Sequence, residues 1–236
     1  MISSEKWLKN STLGEIITND IRFDILNGKI AQEEIITENK ISKLYETSRS
    51  PVREAFKTLS TEGLIELRRM GASVRGLTEN DIHEIYDVRF LIEGFCIKKF
   101  STYFNQEQSF QLKKMLDNMA LSAKYEDYED FAYYDFLFHE FIIKQSNHSR
   151  MFYLWNNIRY IVLCLLIIST KLRFMENKKQ NIDSLISNHE LIIDGLVSKD
   201  SEYLDKVIWE HCLDTKNTVI PYYFKNLENN SSHVYK

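Results

Sequence analysis

From Thr78 to about residue 225, apolar residues recur at three- and four-residue intervals with almost no interruption, and this pattern commits most of the molecule to α-helix. Thr78 followed by Asp81 resembles a capping box, and Ile82, Ile85, Tyr86, Arg89, Ile92, Glu93 and Cys96 then continue one helical repeat. Residues 104–123, 128–145, 151–170, 182–197 and 200–222 each read as a further helix. Seven glycines and two prolines in 236 residues agree with long helices and short connections, and argue against an all-β design.

The region before Thr78 is different. Residues 13–26 form an amphipathic helix that stops at Asn27-Gly28, and residues 37–45 form a short second helix capped by Thr37. Three residues later a third helix begins at Ser48, with Pro51 in its first turn, where a missing N–H costs nothing. At about 100° per residue, Val52, Ala55, Phe56 and Leu59 share one arc while Arg49, Arg53 and Lys57 share the next. Cations near a helix N-terminus oppose the macrodipole, so they serve a purpose other than helix stability. One such purpose is entry of that end into a DNA groove; a solvated basic face is the other reading. After Gly63, residues 64–68 and 73–75 read as two strands with Gly71 near the turn, a β-hairpin that is ordinary by itself but telling directly after a basic helix. The expected fold is therefore mainly α. It has an N-terminal winged helix-turn-helix over residues 1–77, an all-helical bundle over 78–225, and a frayed tail at 226–236.

A net charge of −4 gives no hint of nucleic acid. Within residues 49–75, however, Arg49, Arg53, Lys57, Arg68, Arg69 and Arg75 face only Glu54, Glu62 and Glu66, a local basic patch able to steer phosphate. Cys96, Cys164 and Cys212 are odd in number, far apart and outside any C-x-x-C pair, which fits buried thiols in a reducing compartment. Residues 1–11 are polar, with no signal-peptide pattern, and the longest apolar run, Ile161–Ile168, is about half of a membrane span. A cytoplasmic protein without membrane attachment is expected.

Of the histidines in the helical half, His139 shares a helix face with Asp135, while His189 and His211 lie on the last two helices. Taken singly, each is an ordinary core or surface histidine, and His83, His148 and His233 are read that way. His139-Glu140 and His189-Glu190 both begin like the zincin motif H-E-x-x-H, but positions 143 and 193 are Ile. A metal-dependent hydrolase is thus a weak alternative, and no P-loop, nucleophile elbow or Rossmann glycine pattern supports another enzyme class.

Ser48-Arg49-Ser50-Pro51-Val52-Arg53-Glu54-Ala55, followed by residues 59–65 and by Gly71-Ala72-Ser73-Val74, resembles the DNA-binding domain of GntR-type bacterial transcription regulators. The resemblance implies that Arg49 and Arg53 reach guanine edges, with Ser48, Ser50 and Arg69 at the DNA. It implies too that Gly71 lets the wing tip approach the backbone or minor groove. Glu46-Thr47 replaces the family's usual Gly-Val with little expected change in geometry, and Asn39 stands where many members carry another DNA-contacting Arg. The spacing of Asp135, His139, His189 and His211 resembles the FadR-type FCD effector domain, whose metal-binding members supply one carboxylate and three imidazoles. That implies a divalent ion, Zn²⁺ first, with Ni²⁺ or Mn²⁺ as the other candidates, and a small organic-acid effector. Arg89 either faces the pocket toward an effector carboxylate or serves as a structural partner of Glu93. A metal-insensitive regulator with a vestigial site is the remaining alternative. The resemblance further implies a homodimer on a palindromic operator.

Overall fold

The computed structural model describes the backbone of residues 11–176 and 179–234, and the side chains of all of these except 179–181 and 229–234. These residues divide into two compact units, one of residues 11–80 with 224–234 and one of Asp81–Tyr223.

In the first unit, helix α1 (Leu13–Leu26) is opened by a capping box, since Thr12 accepts from the Glu15 N–H while Glu15 accepts from the Thr12 N–H. It ends as Gly28 turns into the left-handed region at φ 75°. Strand β1 (Ile35–Ile36) leads to α2 (Glu38–Leu44), capped by Thr37, and then to α3 (Arg49–Thr61). Strands β2 (Ile65–Arg68) and β3 (Gly71–Val74) form the hairpin, and β1 pairs antiparallel with β3 to give the order β1-β3-β2. The third strand was not expected, because two residues are too short to show an alternation. Ile17, Ile21, Leu26, Val52, Ala55, Phe56 and Leu59 bury the α1–α3 contact, closed at one end by Arg22 donating to both carboxylate oxygens of Glu62 at 2.6 and 2.8 Å.

The second unit contains α4 (Glu79–Ser101), α5 (Gln106–Lys124), α6 (Tyr128–Gln145), α7 (Ser149–Met175), α8 (Lys179–Ser198) and the first part of α9 (Ser201–Val234). Asn105, Asp127 and His148 cap α5, α6 and α7, the last through its Nδ1 accepting from the Met151 N–H at 3.2 Å. His148 is structural, as expected. The side chain of His233 lies outside the described residues. By length and composition α7 is apolar enough to cross a membrane, a longer stretch than the expected run Ile161–Ile168, yet half of it is buried inside the protein. Every residue of Ile161–Ile168 is buried. The region expected to fray instead continues α9 to Val234, and Asn226 is buried with its amide donating to the main-chain and side-chain oxygens of Asn27 at 3.2 Å.

Candidate functional site

The first candidate surface is the start of α3. Ser48, Arg49, Ser50 and Arg53 are all exposed, as is Asn39 on α2. Ser48 occupies the N-cap position but its hydroxyl makes no capping bond, so the expected cap is conformational only and that hydroxyl is free to engage another group. Arg49 makes no ion pair or hydrogen bond among the described residues, whereas the Arg53 Nε donates to both oxygens of Glu38 at 2.9 and 3.0 Å. That pair is exposed and therefore worth at most about 1 kcal/mol, a small barrier to exchanging Glu38 for another acceptor. Arg69 stands apart from α3 at the hairpin turn.

Gly71 has a reason inside the fold that was not expected. At φ 139° a Cβ on Gly71 would lie 2.3 Å from the Ile36 carbonyl oxygen, so the glycine is required where β3 crosses β1 inside this unit. Its smallness is needed by its own sheet, whatever else approaches the wing. Glu46 also departs from expectation. Its φ of 49° is left-handed, so the residue in place of glycine carries backbone strain.

The second candidate site is buried in the helical unit. Asp135 and His139 project from α6 one turn apart, His189 from α8 and His211 from α9, and all four are nearly inaccessible. The Nε2 of His139 lies 3.2 Å from that of His189 and 3.0 Å from that of His211. Asp135 Oδ1 lies 3.5 and 3.4 Å from the Nε2 atoms of His139 and His189. All four residues expected to ligate are brought together.

The hydrogen bonds behind these rings fix what their front faces offer. His189 Nδ1 is 2.7 Å from the Leu185 carbonyl oxygen, an acceptor only, so that nitrogen carries the proton. His139 Nδ1 is 2.8 Å from Glu93 Oε2; the geometry is off-line, but only a protonated nitrogen is stable so close to a carboxylate oxygen. In the neutral form of each ring, both Nε2 atoms point lone pairs at each other and at Asp135 Oδ1, which has no hydrogen-bond donor. Acceptors facing acceptors in a buried site repel unless a cation lies between them.

A proton fills that role poorly. Burial pulls the His139 pKa down despite Glu93, and burial followed by the neighbouring His189 and His139 pulls that of His211 well below the usual histidine range. Burial works against ionising Asp135, but His189, then His139 and Arg89, hold its carboxyl well below the usual carboxylate range. Neutral imidazoles at His139 and His211 beside an anionic carboxylate are the states a metal ion requires. Ligand atoms about 2.0–2.1 Å from one ion lie roughly 3.0 Å apart at right angles and roughly 3.4 Å apart at tetrahedral angles. The four separations of 3.0 to 3.5 Å fit that range, and the three imidazole ligand atoms all lie within 4.8 Å of one another. The donor set thus fits a divalent ion.

Arg89 takes the second of its expected roles, as the structural partner of Glu93. On α4 its Nε donates to Glu93 Oε1 at 2.6 Å, while its Nη1 is buried without a hydrogen-bond partner. Glu93 was not anticipated as a site residue. Burial opposes its charge, but Arg89 and then His139 keep its carboxyl well below the usual range, so it remains the anion that orients His139. The sequence signal was its i,i+4 spacing from Arg89 on a buried helix face.

The hydrolase alternative finds no base. Glu140 accepts from Trp155 Nε1 at 3.2 Å, from Arg159 at 2.5 Å and from Lys144 at 2.5 Å, and is fully engaged away from the cluster. Glu190 is exposed on the surface of α8.

Comparison with known proteins agrees with both halves. Residues 13–74 match the family of bacterial regulatory proteins, gntR family, and residues 84–214 match the FCD domain. The gluconate operon transcriptional repressor of Bacillus licheniformis is 36% identical over 93% of this chain and 90% of its own length. That of Bacillus subtilis (strain 168) is 37% identical over 91% of this chain and 88% of its own. The structure of E. coli McbR/YncC shares the fold with a TM-score of 0.70 at 16% identity, covering 90% of this chain and 99% of that one. With a winged helix-turn-helix of that family joined to an FCD effector domain, the chain belongs to the GntR family of bacterial transcriptional regulators and is not an enzyme.

Proposed function

We propose that this protein is a cytoplasmic, dimeric repressor that releases a two-fold symmetric operator when a gluconate-like sugar acid binds beside a divalent metal ion, Zn²⁺ first among the candidates. The arrangement of lone pairs around His139, His189, His211 and Asp135 carries the metal part of this reading. When bound, the ion supplies a positive centre for carboxylate and hydroxyl oxygens. Arg89, with its buried and unpartnered Nη1, supplies a donor to the same acid. The nature of the acid is suggested by the relatives, both gluconate operon repressors, which match over most of this chain.

At the DNA, Arg49 and Arg53 read bases from the first turns of α3. Ser48, Ser50 and Asn39 hold phosphate or sugar, and Arg69 reaches out from the hairpin turn. Gly71 serves by letting β1 and β3 meet, which sets where Arg69 stands.

The test selects double-stranded DNA from a randomised pool and measures binding of the enriched sequence by fluorescence anisotropy. A symmetric sequence should emerge, and D-gluconate, but not D-glucose, should weaken its binding. Arg49→Ala or Arg53→Ala should cost roughly 1–3 kcal/mol of base discrimination while the fold survives. Wild-type-like discrimination in both variants would remove α3 from the reading role. Indifference to gluconate would remove the proposed acid.

A further inference from the structure

The last turns of α9 lie outside both family matches, which end at residue 74 and at residue 214. They nevertheless continue the same helix that brings His211 to within 3.0 Å of His139. A buried stripe runs along it through His211, Thr215, Val219, Tyr223 and Asn226, at steps of three and four residues that keep to one helix face. Pro221 removes one main-chain bond, to the Asn217 carbonyl, but does not end the helix. Side chains before and after it hold α9 in place. Lys216 pairs with Asp87 of α4 at 2.6 Å, and the Tyr222 hydroxyl donates to Glu176, the C-cap of α7, at 2.9 Å.

The far end of the stripe meets a helix terminus. Residues 224–234 group with the first unit, and there the Asn226 amide, buried, donates to both the main-chain and the side-chain oxygen of Asn27 at 3.2 Å. Asn27 is the C-cap of α1, the end at which helix carbonyls lack partners inside the helix. A buried amide costs free energy unless its donors are used, and an apolar residue would fill the position without that demand. Asn226 therefore does more than fill space: it grips the end of α1. In turn α1 packs through Ile17, Ile21 and Leu26 on Val52, Phe56 and Leu59 of α3, the helix that carries Arg49 and Arg53.

Resting on the metal reading above, we infer that α9 is a rod that carries the state of the histidine cluster to α1. One end, His211, is a member of the cluster. The other, Asn226, lies fifteen residues further on, about 22 Å at the α-helical rise. Filling the cluster fixes the His211 ring and with it the position and rotation of α9 about its axis. The grip on Asn27 passes this to α1, and close packing passes it from α1 to α3 rather than absorbing it.

The experiment follows hydrogen–deuterium exchange by mass spectrometry in the full-length chain, stripped of metal and then supplied with Zn²⁺. The amides of Asn27, Gly28 and Lys29, which donate to the Phe23, Ile25 and Asp24 carbonyls, report on the end of α1. In wild type, Zn²⁺ should slow exchange in the peptides that contain His189 and His211 and also, by about threefold or more, at those three amides. In Asn226→Ala the slowing at the histidines should remain while the response at the end of α1 vanishes. Asn226→Gln, which keeps the amide, should restore part of that response. Wild type that slows at the histidines but not at the end of α1 would overturn the role of α9 and leave the metal reading intact. So would an Asn226→Ala variant whose α1 amides exchange faster by the same factor with and without Zn²⁺, the mark of a purely structural contact. No slowing at the histidines themselves would overturn the metal reading, and this inference with it.

Discussion

Glu93 spends one carboxylate oxygen on Arg89 and the other on His139, so a single residue couples the orientation of an imidazole of the histidine cluster to that of the Arg89 guanidinium. Partners behind a ligating imidazole raise its basicity and fix its ring, and their loss costs about 10–100-fold in metal affinity. Glu93→Gln should therefore weaken the ion by about that factor in a chelator competition while keeping all four ligands; unchanged affinity would show that His139 is oriented by packing alone. Asp135, His139, His189 and His211 were singled out in the sequence only through their resemblance to the FCD pattern, since each histidine taken singly reads as an ordinary core or surface residue. Glu93 was not, since its contact with His139 joins two helices 46 positions apart and depends on how α4 packs on α6. Gly71 shows the converse. Its presence was visible, but its reason, the Ile36 carbonyl, required the unforeseen β1.

The helices themselves were read closely, α1 and α6 to the residue, because apolar periodicity and N-terminal caps are local. Their junctions were less clear. The corners between α2 and α3, α5 and α6, α6 and α7, and α8 and α9 use Glu46, Glu126, Asn147 and Lys199 in left-handed conformation where glycine would mark the turn. Side chains there are held against their preference by the packed helices on either side. Glu126→Gly and Lys199→Gly should each stabilise the protein by about 0.5–1 kcal/mol, the strain relieved less the entropy of a freer unfolded chain. Denaturant unfolding measures this, and a loss of stability at either site would mean that its side chain contributes contacts outweighing the strain. α9 runs past its expected end at residue 222 even though Pro221 stands there inside the helix.

At the scale of the molecule, α9 contributes His211 to the helical unit, and its residues 224–234 belong to the unit that carries α3. The sequence could not disclose this, because a polar C-terminal stretch reads as a tail until Asn226 is seen bonded to Asn27. A palindromic operator requires two such chains. Along α4, Val88, Leu91 and Phe95 form an exposed apolar stripe at i, i+3 and i+7, with Leu91 67% exposed. A second copy covering this stripe would remove it from water. Leu91→Arg should convert a dimer to a monomer in sedimentation and weaken operator binding. A dimer that persists would place the interface elsewhere.

The central claim is that the buried histidines hold a metal ion, and bound metal per chain in protein purified without chelators tests it most directly, for wild type and for His189→Ala with retained helicity. About one divalent ion per wild-type chain is expected, with loss of that ion in the variant. Wild-type protein that takes up no ion when Zn²⁺, Ni²⁺ or Mn²⁺ is supplied would contradict it. The lone pairs of His139 and His189 would then face each other for some other reason, and the sensing mechanism built on them would fall.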